Sequence, residues 1–433
     1  MSAARFNERL EPRSYDEVPW TTSISPASAS AAFNRLLHAD SGNESVAAIS
    51  IATFMHSFLV AGSDGIAKTP VYTWMDGASP DGVAAIRNKL ASDFHQRTGC
   101  HYHPMFPVFK LASMKIAPGD RVLSPKSFLV QALTGECVED FGMASASGLL
   151  GIRSASWDAD ILSAAGMTPE NLPRVIERDA IVGKTTSGAI VVNGSGDGFM
   201  ANIGSGCEFS NRIAITVGTS AAVRQMVESP SLDPAAGTFC YRAKSRNSFL
   251  LGCASSNGGN VLDWARKEFG PTIPGFVPSR EIPIFMPWLN GERSLEWNPE
   301  LRPQWHGRTS DRTPAELQRA VMEGVLFNLA QYVEVIEASS GIRASEIVLS
   351  GNGFLDPALA PVLAALVSRE TIQPESSGLG TLRGAAVSAW RALGYDSTSA
   401  VEGLLRNAQR VTPARPPGLE ERFARFKELR HRT

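Results

Sequence analysis

The sequence predicts an α/β protein, and three observations carry that prediction. Runs such as "VAAISIATF" and "RIAITV" are short and rich in β-branched residues, as strands of buried sheets tend to be. In "TPAELQRAVMEGVLFNLAQYVEVIEASSG", Thr313 and Glu316 make a capping box and Pro314 takes the first helical position. Leu317, Val321, Val325, Leu329 and Ile336 then share one face, and Gly341 can end the helix. The stretch "EIVLSGNGFLDPALAPVLAALVSR" adds a strand over Ile347 to Leu349, a glycine loop and a helix started at Asp356-Pro357. Strands alternating with helices are the pattern of α/β architecture.

Bulk composition narrows the function. With 433 residues, 43% of them hydrophobic and 19% charged, the chain suits roughly two to three domains with buried cores. A formal net charge of -2, with basic and acidic residues interleaved, gives no electrostatic footprint for nucleic acid. No apolar run approaches the roughly 18 to 20 residues that span a bilayer. Charges at Arg5, Glu8, Arg9, Glu11 and Arg13 break up any secretory signal. Five cysteines without CxxC spacing suggest reduced, mostly buried thiols and a cytoplasmic protein. His101 and His103 have no Cys or acidic partner at ligand spacing, so packing or substrate contact is expected there rather than metal.

Three glycine-bearing segments carry chemistry. In "IAITVGTSAAVR" a buried strand runs into Gly218-Thr219-Ser220. There glycine lets the backbone approach an anion and the hydroxyls add donors beside the amides, unless the segment is only a tight turn. The loop with Gly351 and Gly353 sits between strand and helix, where bare amides can face a nucleotide or glycines can serve packing. "GSGDGFMANIGSG" sets Asp197 among Gly194, Gly196 and Gly198. This carboxylate can take a proton from a hydroxyl, or it can cap its own turn.

In order along nearly the whole chain, the segments resemble the FGGY family of carbohydrate kinases, most of all its gluconokinase branch. The resemblance rests on "ISIATFMHSFLV", "TPVYTWMDGAS", "RTGCHYHPMFPVFKLASMK" with Pro107 and Lys110, and "EDFGMASASGLLGIRSASWD". It continues through "FCYR", "SSNGGNVLDW" and "WLNGERSLEWNPE". It implies two ribonuclease-H-like domains of the actin-like ATPase fold closing over a cleft. Residues 1–209 would bind the sugar and residues 210–433 the ATP. Asp197 then corresponds to the catalytic base, Gly218, Thr219 and Ser220 to a phosphate loop, and Gly351 and Gly353 to the adenosine-side loop. His56, Trp74 and Asp76 correspond to sugar-side positions, each with a structural alternative: core histidine, core tryptophan, turn cap. Glu292 and Arg293 are expected to pair with each other inside the second domain. The implied cofactors are ATP and Mg²⁺, the metal riding on the phosphates without protein ligands. The implied reaction is D-gluconate to 6-phospho-D-gluconate in a monomer or homodimer, with no nucleic-acid or membrane partner. Xylulose or another polyol is the alternative substrate, and a non-catalytic sugar- or nucleotide-binding homologue is the alternative role.

The sequence departs from the family pattern in four places. The family's first hairpin carries Asp-x-Gly-Thr-[Thr/Ser], which has no match here. "AARFNERLEPRSYDEVPW" resembles the second and third strands of that hairpin, so the first strand and first phosphate loop are expected to be missing. Ala78 stands where an Arg is common, and Ser113 where a Trp is usual. The helix "APVLAALVSRE" has neither the Gln nor the Asp that family members tend to carry.

Overall fold

The computed structural model describes residues 2–7, 12–17, 31–32, 35, 46–90, 93–273, 275–276, 281–375 and 377–432. Strands β1 (Ser2–Phe6) and β2 (Pro12–Glu17) form the antiparallel pair expected from the sequence; residues 8–11 of the turn between them lie outside the described residues. Strands β3 (Ala48–Thr53), β4 (Ile181–Lys184) and β5 (Ile190–Gly196) make a separate sheet in the order β4-β5-β3. Among the described residues, β3 therefore has a hydrogen-bonded neighbour on one edge only. β3 is half-buried along its length while β5 is almost wholly buried. Helix α1 (Pro125–Thr134) opens with Pro125 after Ser124, whose side chain accepts the Ser127 amide; α2 (Phe141–Ala146) opens on Asp140, which accepts the amides of Gly142 and Met143. Helix α3 (Asp197–Gly204) follows β5 without a loop.

The second sheet has seven strands. They are β6 (Arg212–Val217), β7 (Ala221–Val227), β8 (Phe239–Arg242), β9 (Phe249–Ser255), β10 (Glu346–Ser350), β11 (Glu370–Gln373) and β12 (Gln409–Arg410), in the order β8-β9-β7-β6-β10-β11-β12. β10 lies parallel to both β6 and β11, and the other pairs are antiparallel. Helix α4 (Gly259–Phe269) leaves β9, and α5 (Pro314–Ser340) crosses behind the sheet with its capping box formed and Gly341 at φ 68°. The sequence marks one apolar face on α5, yet the helix is buried almost all round. Its second face is covered by a helix near the C-terminus: Phe327 packs on Phe423 and Phe426, and Glu323 accepts from both Arg319 and Arg422. Helix α6 (Leu359–Val367) begins later than Asp356-Pro357, because a short 3₁₀ turn over Asn352–Leu355 comes first.

The halves meet through helix α7 (Gly380–Ala392), which crosses α3 with backbone against backbone. A Cβ on Gly204 would stand 1.9 Å from the Gly380 carbonyl oxygen, and one on Gly384 would stand 1.9 Å from that of Met200. Larger residues at either position would force the helices apart. A second contact lies at the sheet edge. Met226, Phe239, Tyr241 and Leu250 share an apolar core with Phe58, Phe106, Phe109 and Phe199. Arg242 spends its guanidinium on carbonyls, donating to Ile152 at 2.7 Å and to Lys244, Ser245 and Arg246. The five cysteines are free thiols, and no helix among the described residues is long and apolar enough to cross a membrane.

Candidate active site

A cleft of about 230 Å³ opens between the two halves. Met55, His56, Trp74, Asp197 and Gly198 line one wall, Thr216, Gly218, Ser220 and Arg224 the other, with Arg293 and Thr381 at its sides.

Asp197 is placed by an irregularity in β5. The parallel register with β3 slips between Val192 and Ser195, inserting one residue, and Gly194 adopts φ +76° there. A Cβ at Gly194 would meet the Ile51 carbonyl oxygen at 1.9 Å, so only glycine fits. The strand ends at Gly196, and Asp197 begins α3. Its Oδ1 accepts the Met55 amide at 3.2 Å and the Gly198 amide at 2.8 Å. One oxygen thus caps the turn, and among the described residues Oδ2 accepts no hydrogen bond. The capping alternative is met by Oδ1, and Oδ2 is left without a bond. The carboxylate is open to solvent along the cleft and enclosed by protein on its other sides. Burial raises its pKa, against the pull of Arg224, the two amides and Arg293. That rise makes it a better proton acceptor.

Beneath β5 lies a charge cluster that no motif marks in the sequence. Lys126 is fully buried, 2.9 Å from Glu139 and 3.5 Å from Asp140, and it donates to Asn193 Oδ1 at 2.6 Å. Asp140 in turn accepts from Ser195 Oγ at 2.5 Å. The cluster grips β5 at Asn193 and Ser195, on either side of the glycine bulge, and so fixes the strand that presents Asp197.

On the opposite wall, Gly218-Thr219-Ser220 forms the tip of the β6–β7 hairpin, with Gly218 N donating to Ser220 O at 2.9 Å. No described acceptor takes the Thr219 or Ser220 amide, and both residues are open to solvent. A Cβ at Gly218 would come no closer than 3.8 Å to other atoms, so packing does not demand glycine there. Packing does demand it at the neighbours. A Cβ on Gly351 (φ +92°) would stand 2.3 Å from the Val217 carbonyl oxygen, and one on Gly353 would stand 2.3 Å from the Val217 side chain. Gly351 and Gly353 thus brace the end of β6 from behind. The first residues of α4 support the tip likewise: Gly259 N donates to Gly218 O at 2.8 Å and Asn260 N to Thr219 O at 3.1 Å.

His56 and Trp74 lie in the cleft with Asp197, and Asp76 does not. His56 holds φ 57°, a left-handed conformation that a non-glycine residue rarely keeps without a structural or functional reason. Its Nδ1 lies 2.8 Å from Ala146 O, and burial lowers its pKa to about 3, so the ring is neutral and Nδ1–H donates. Nε2 is then left as an acceptor. Trp74 is held through its neighbour: Lys110 donates to the carbonyls of Thr73 at 2.9 Å and Met105 at 2.7 Å. Asp76 is exposed and accepts from Thr73 N at 2.6 Å and Thr73 Oγ1 at 2.8 Å, the bonding of a turn cap. The expected Glu292–Arg293 side-chain pair is not formed. Glu292 turns inward to Ser255 Oγ and Asn328, while the Arg293 guanidinium donates to Ser255 O at 2.5 Å and lies over the Trp74 ring, 5.3 Å from its centroid. Arg293 therefore belongs to the cleft.

Arg224, absent from the sequence reading, enters through strand alternation. On β7 it shares a face with Ala222, and that face meets α3 at Gly198, where a Cβ would stand 3.3 Å from an Arg224 nitrogen. A charged residue in a buried, mostly apolar strand was the available signal. No group of three or more His, Cys, Asp or Glu side chains suited to a metal occurs among the described residues, and His101 instead stacks on Trp297.

Comparison with known proteins gives this cleft its relatives. The pattern for the FGGY family of carbohydrate kinases, N-terminal domain, matches residues 23–204, and that for the family's C-terminal domain matches residues 213–393. A gluconokinase of Bacillus subtilis is 28% identical over 412 residues, covering 86% of this chain and 80% of its own. A xylulose kinase of Klebsiella pneumoniae is 28% identical over 336 residues, covering 71% and 68%. Among solved structures, a ligand-bound xylulose kinase from Lactobacillus acidophilus superposes with TM-score 0.86 at 26% identity, over 100% of this chain and 95% of its own. A gluconate kinase from the same organism gives 0.85 at 25%, with the same coverage. Two actin-like halves, a carboxylate at the floor of their cleft and matches to both family domains lead to one assignment: this chain belongs to the FGGY family of carbohydrate kinases.

Proposed function

We propose that this chain phosphorylates a sugar acid at the expense of ATP, with D-gluconate going to 6-phospho-D-gluconate. The observation that carries the reading is the free Asp197 Oδ2 facing, across one cleft, the hairpin tip at Gly218 and Ser220, where the amides of Thr219 and Ser220 are bare. In this reading the substrate hydroxyl gives its proton to Asp197 as its oxygen bonds to the γ-phosphorus. The bond from that phosphorus to the β,γ-bridging oxygen breaks, and ADP leaves with the electron pair. The amides and hydroxyls of Thr219 and Ser220 hold phosphate oxygens, and Gly218 leaves the approach open. Mg²⁺ carried on the phosphates would supply charge neutralisation, with Asp197 the one carboxylate among the described residues that line the cleft. Residues 1–209 act as the sugar-binding half and 210–433 as the ATP-binding half. His56 and Trp74 border the sugar, Asp76 shapes the turn that presents Trp74, and Gly351 and Gly353 set the end of β6 beside the adenosine side.

The gluconokinase relatives favour gluconate, and the xylulose kinase relatives keep xylulose as the second substrate. Coupled ADP release with gluconate, xylulose and glycerol tests the reading: gluconate should give the highest kcat/KM. Release with none of the three, in a folded protein that binds ATP, would favour a sugar- or nucleotide-binding homologue without turnover.

A further inference from the structure

Most buried arginines of this protein meet a carboxylate: Arg178 meets Glu208, Arg212 meets Glu346 and Glu402, Arg319 and Arg422 meet Glu323, and Arg430 meets Glu296. Two arginines of the cleft do not. Among the described residues Arg224 makes one hydrogen bond, a long 3.4 Å contact to Thr216 Oγ1, and no ion pair. Arg293 is 7% exposed, its Nε has no partner, and its guanidinium is satisfied only at Ser255 O. Asp197 is the sole carboxylate among the described residues that line the same cleft. Within the cleft two cations face one anion; Glu292, whose charge Arg293 also feels, turns its oxygens to Ser255 and Asn328.

Both arginines lie on the alcohol-substrate side. Arg224 rests against Gly198, the residue after Asp197, and Arg293 lies over Trp74. Its charge is also felt at His56. Phosphates already have a separate cradle in the free amides at Thr219 and Ser220. Resting on the kinase reading above, we propose that Arg224 and Arg293 form the subsite for the carboxylate of an aldonate substrate. This pair would make the enzyme select sugar acids over neutral sugars. A guanidinium fork presents paired N–H donors to two carboxylate oxygens, a geometry that a neutral polyol end cannot return.

The test compares wild type with Arg224→Gln, Arg224→Lys and Arg293→Gln. The measurements are KM and kcat for gluconate, xylulose and sorbitol, KM for ATP, thermal melting, and calorimetric binding of gluconate. Arg224→Gln should raise the gluconate KM about tenfold to a hundredfold, the loss expected for one charge-assisted hydrogen-bond pair. ATP KM should stay within a few-fold. Any change in kcat from losing the pull of Arg224 on Asp197 should be shared by all three substrates, while the rise in KM should be confined to gluconate, and Arg224→Lys should fall between Gln and wild type. A folded Arg224→Gln that lowers kcat equally for acids and neutral sugars, at unchanged gluconate KM, would overturn the subsite and assign the arginines to the transferring phosphoryl group. Wild type that turns over xylulose or sorbitol as well as gluconate would also overturn it, leaving the kinase reading intact. If no substrate is turned over, the kinase reading fails and calorimetry decides the subsite. Gluconate binding that is lost in both Gln variants upholds it, and absence of gluconate binding to wild type removes it.

Discussion

The two walls of the cleft are built differently. The Gly218-Thr219-Ser220 wall belongs to a regular seven-stranded sheet, and its reactive part is a plain hairpin tip held from behind by glycine contacts. The Asp197 wall belongs to a three-stranded sheet whose β3 is half-buried, and its reactive part depends on a bulge, a left-handed histidine and a buried charge cluster. A phosphate cradle needs only unpaired amides, which any hairpin tip exposes. A catalytic carboxylate must be held against its own desolvation, and that takes special geometry with a supporting layer.

The strongest way to break this contrast is to remove the support of the Asp197 wall. Lys126→Met strands Glu139 and Asp140 without their cation, and breaking such a buried pair costs roughly 3–5 kcal/mol. Urea denaturation should show that loss, and a change below 1 kcal/mol would mean that the cluster is not what holds β5.

Next in size is the proposed catalytic base. Asp197→Asn should lower turnover by at least roughly 10²-fold and leave gluconate binding within a few-fold. Asn can still accept the Met55 and Gly198 amides, so turnover near wild type would reduce Asp197 to a turn cap.

A pair of glycine substitutions sharpens the comparison on the other wall. Gly351→Ala places a Cβ against the Val217 carbonyl at positive φ and should cost about 1–3 kcal/mol in stability, read by thermal melting. Gly218→Val meets open space, so melting should hardly move while the KM for ATP rises well before that for sugar. A fall in sugar affinity with ATP affinity kept would reverse the roles of the two halves.

The last prediction concerns His56 and is read near neutral pH, where its effect is smallest. Its folded pKa of about 3 lies below the ordinary imidazole value of 6.5, chiefly because of burial, so the unfolded chain binds a proton that the native ring refuses. Stability from this group is complete above about pH 6.5 and falls as pH drops towards 3, by at most about 1.4 kcal/mol per pH unit. His56→Asn, which tolerates the left-handed backbone, should flatten the loss between pH 7 and 5 in urea titrations. An unchanged slope would mean that the native ring takes up its proton as readily as the unfolded one.

What the sequence by itself determined is whatever is local and periodic: the α/β class, the capped helix α5, the β6–β7 hairpin tip, and a carboxylate among glycines at the end of a strand. Those signals survive because caps, turns and strand periods act over a few residues. The order of short motifs also identified the family, without fixing which polar residues share the cleft. Only the tertiary structure brought Arg224 and Arg293 beside Asp197 and set Asp76 apart in its own turn. It also buried Lys126 under β5 and let α3 and α7 touch backbone to backbone through Gly204, Gly380 and Gly384. These features join residues distant in the chain, and each takes its meaning from the charge or the space left by another element. A single arginine on a strand or a glycine in a helix reads alike in sequence whether it is exposed, braced or facing a ligand. Burial and the absence of a partner separate those cases, and both are properties of the folded molecule.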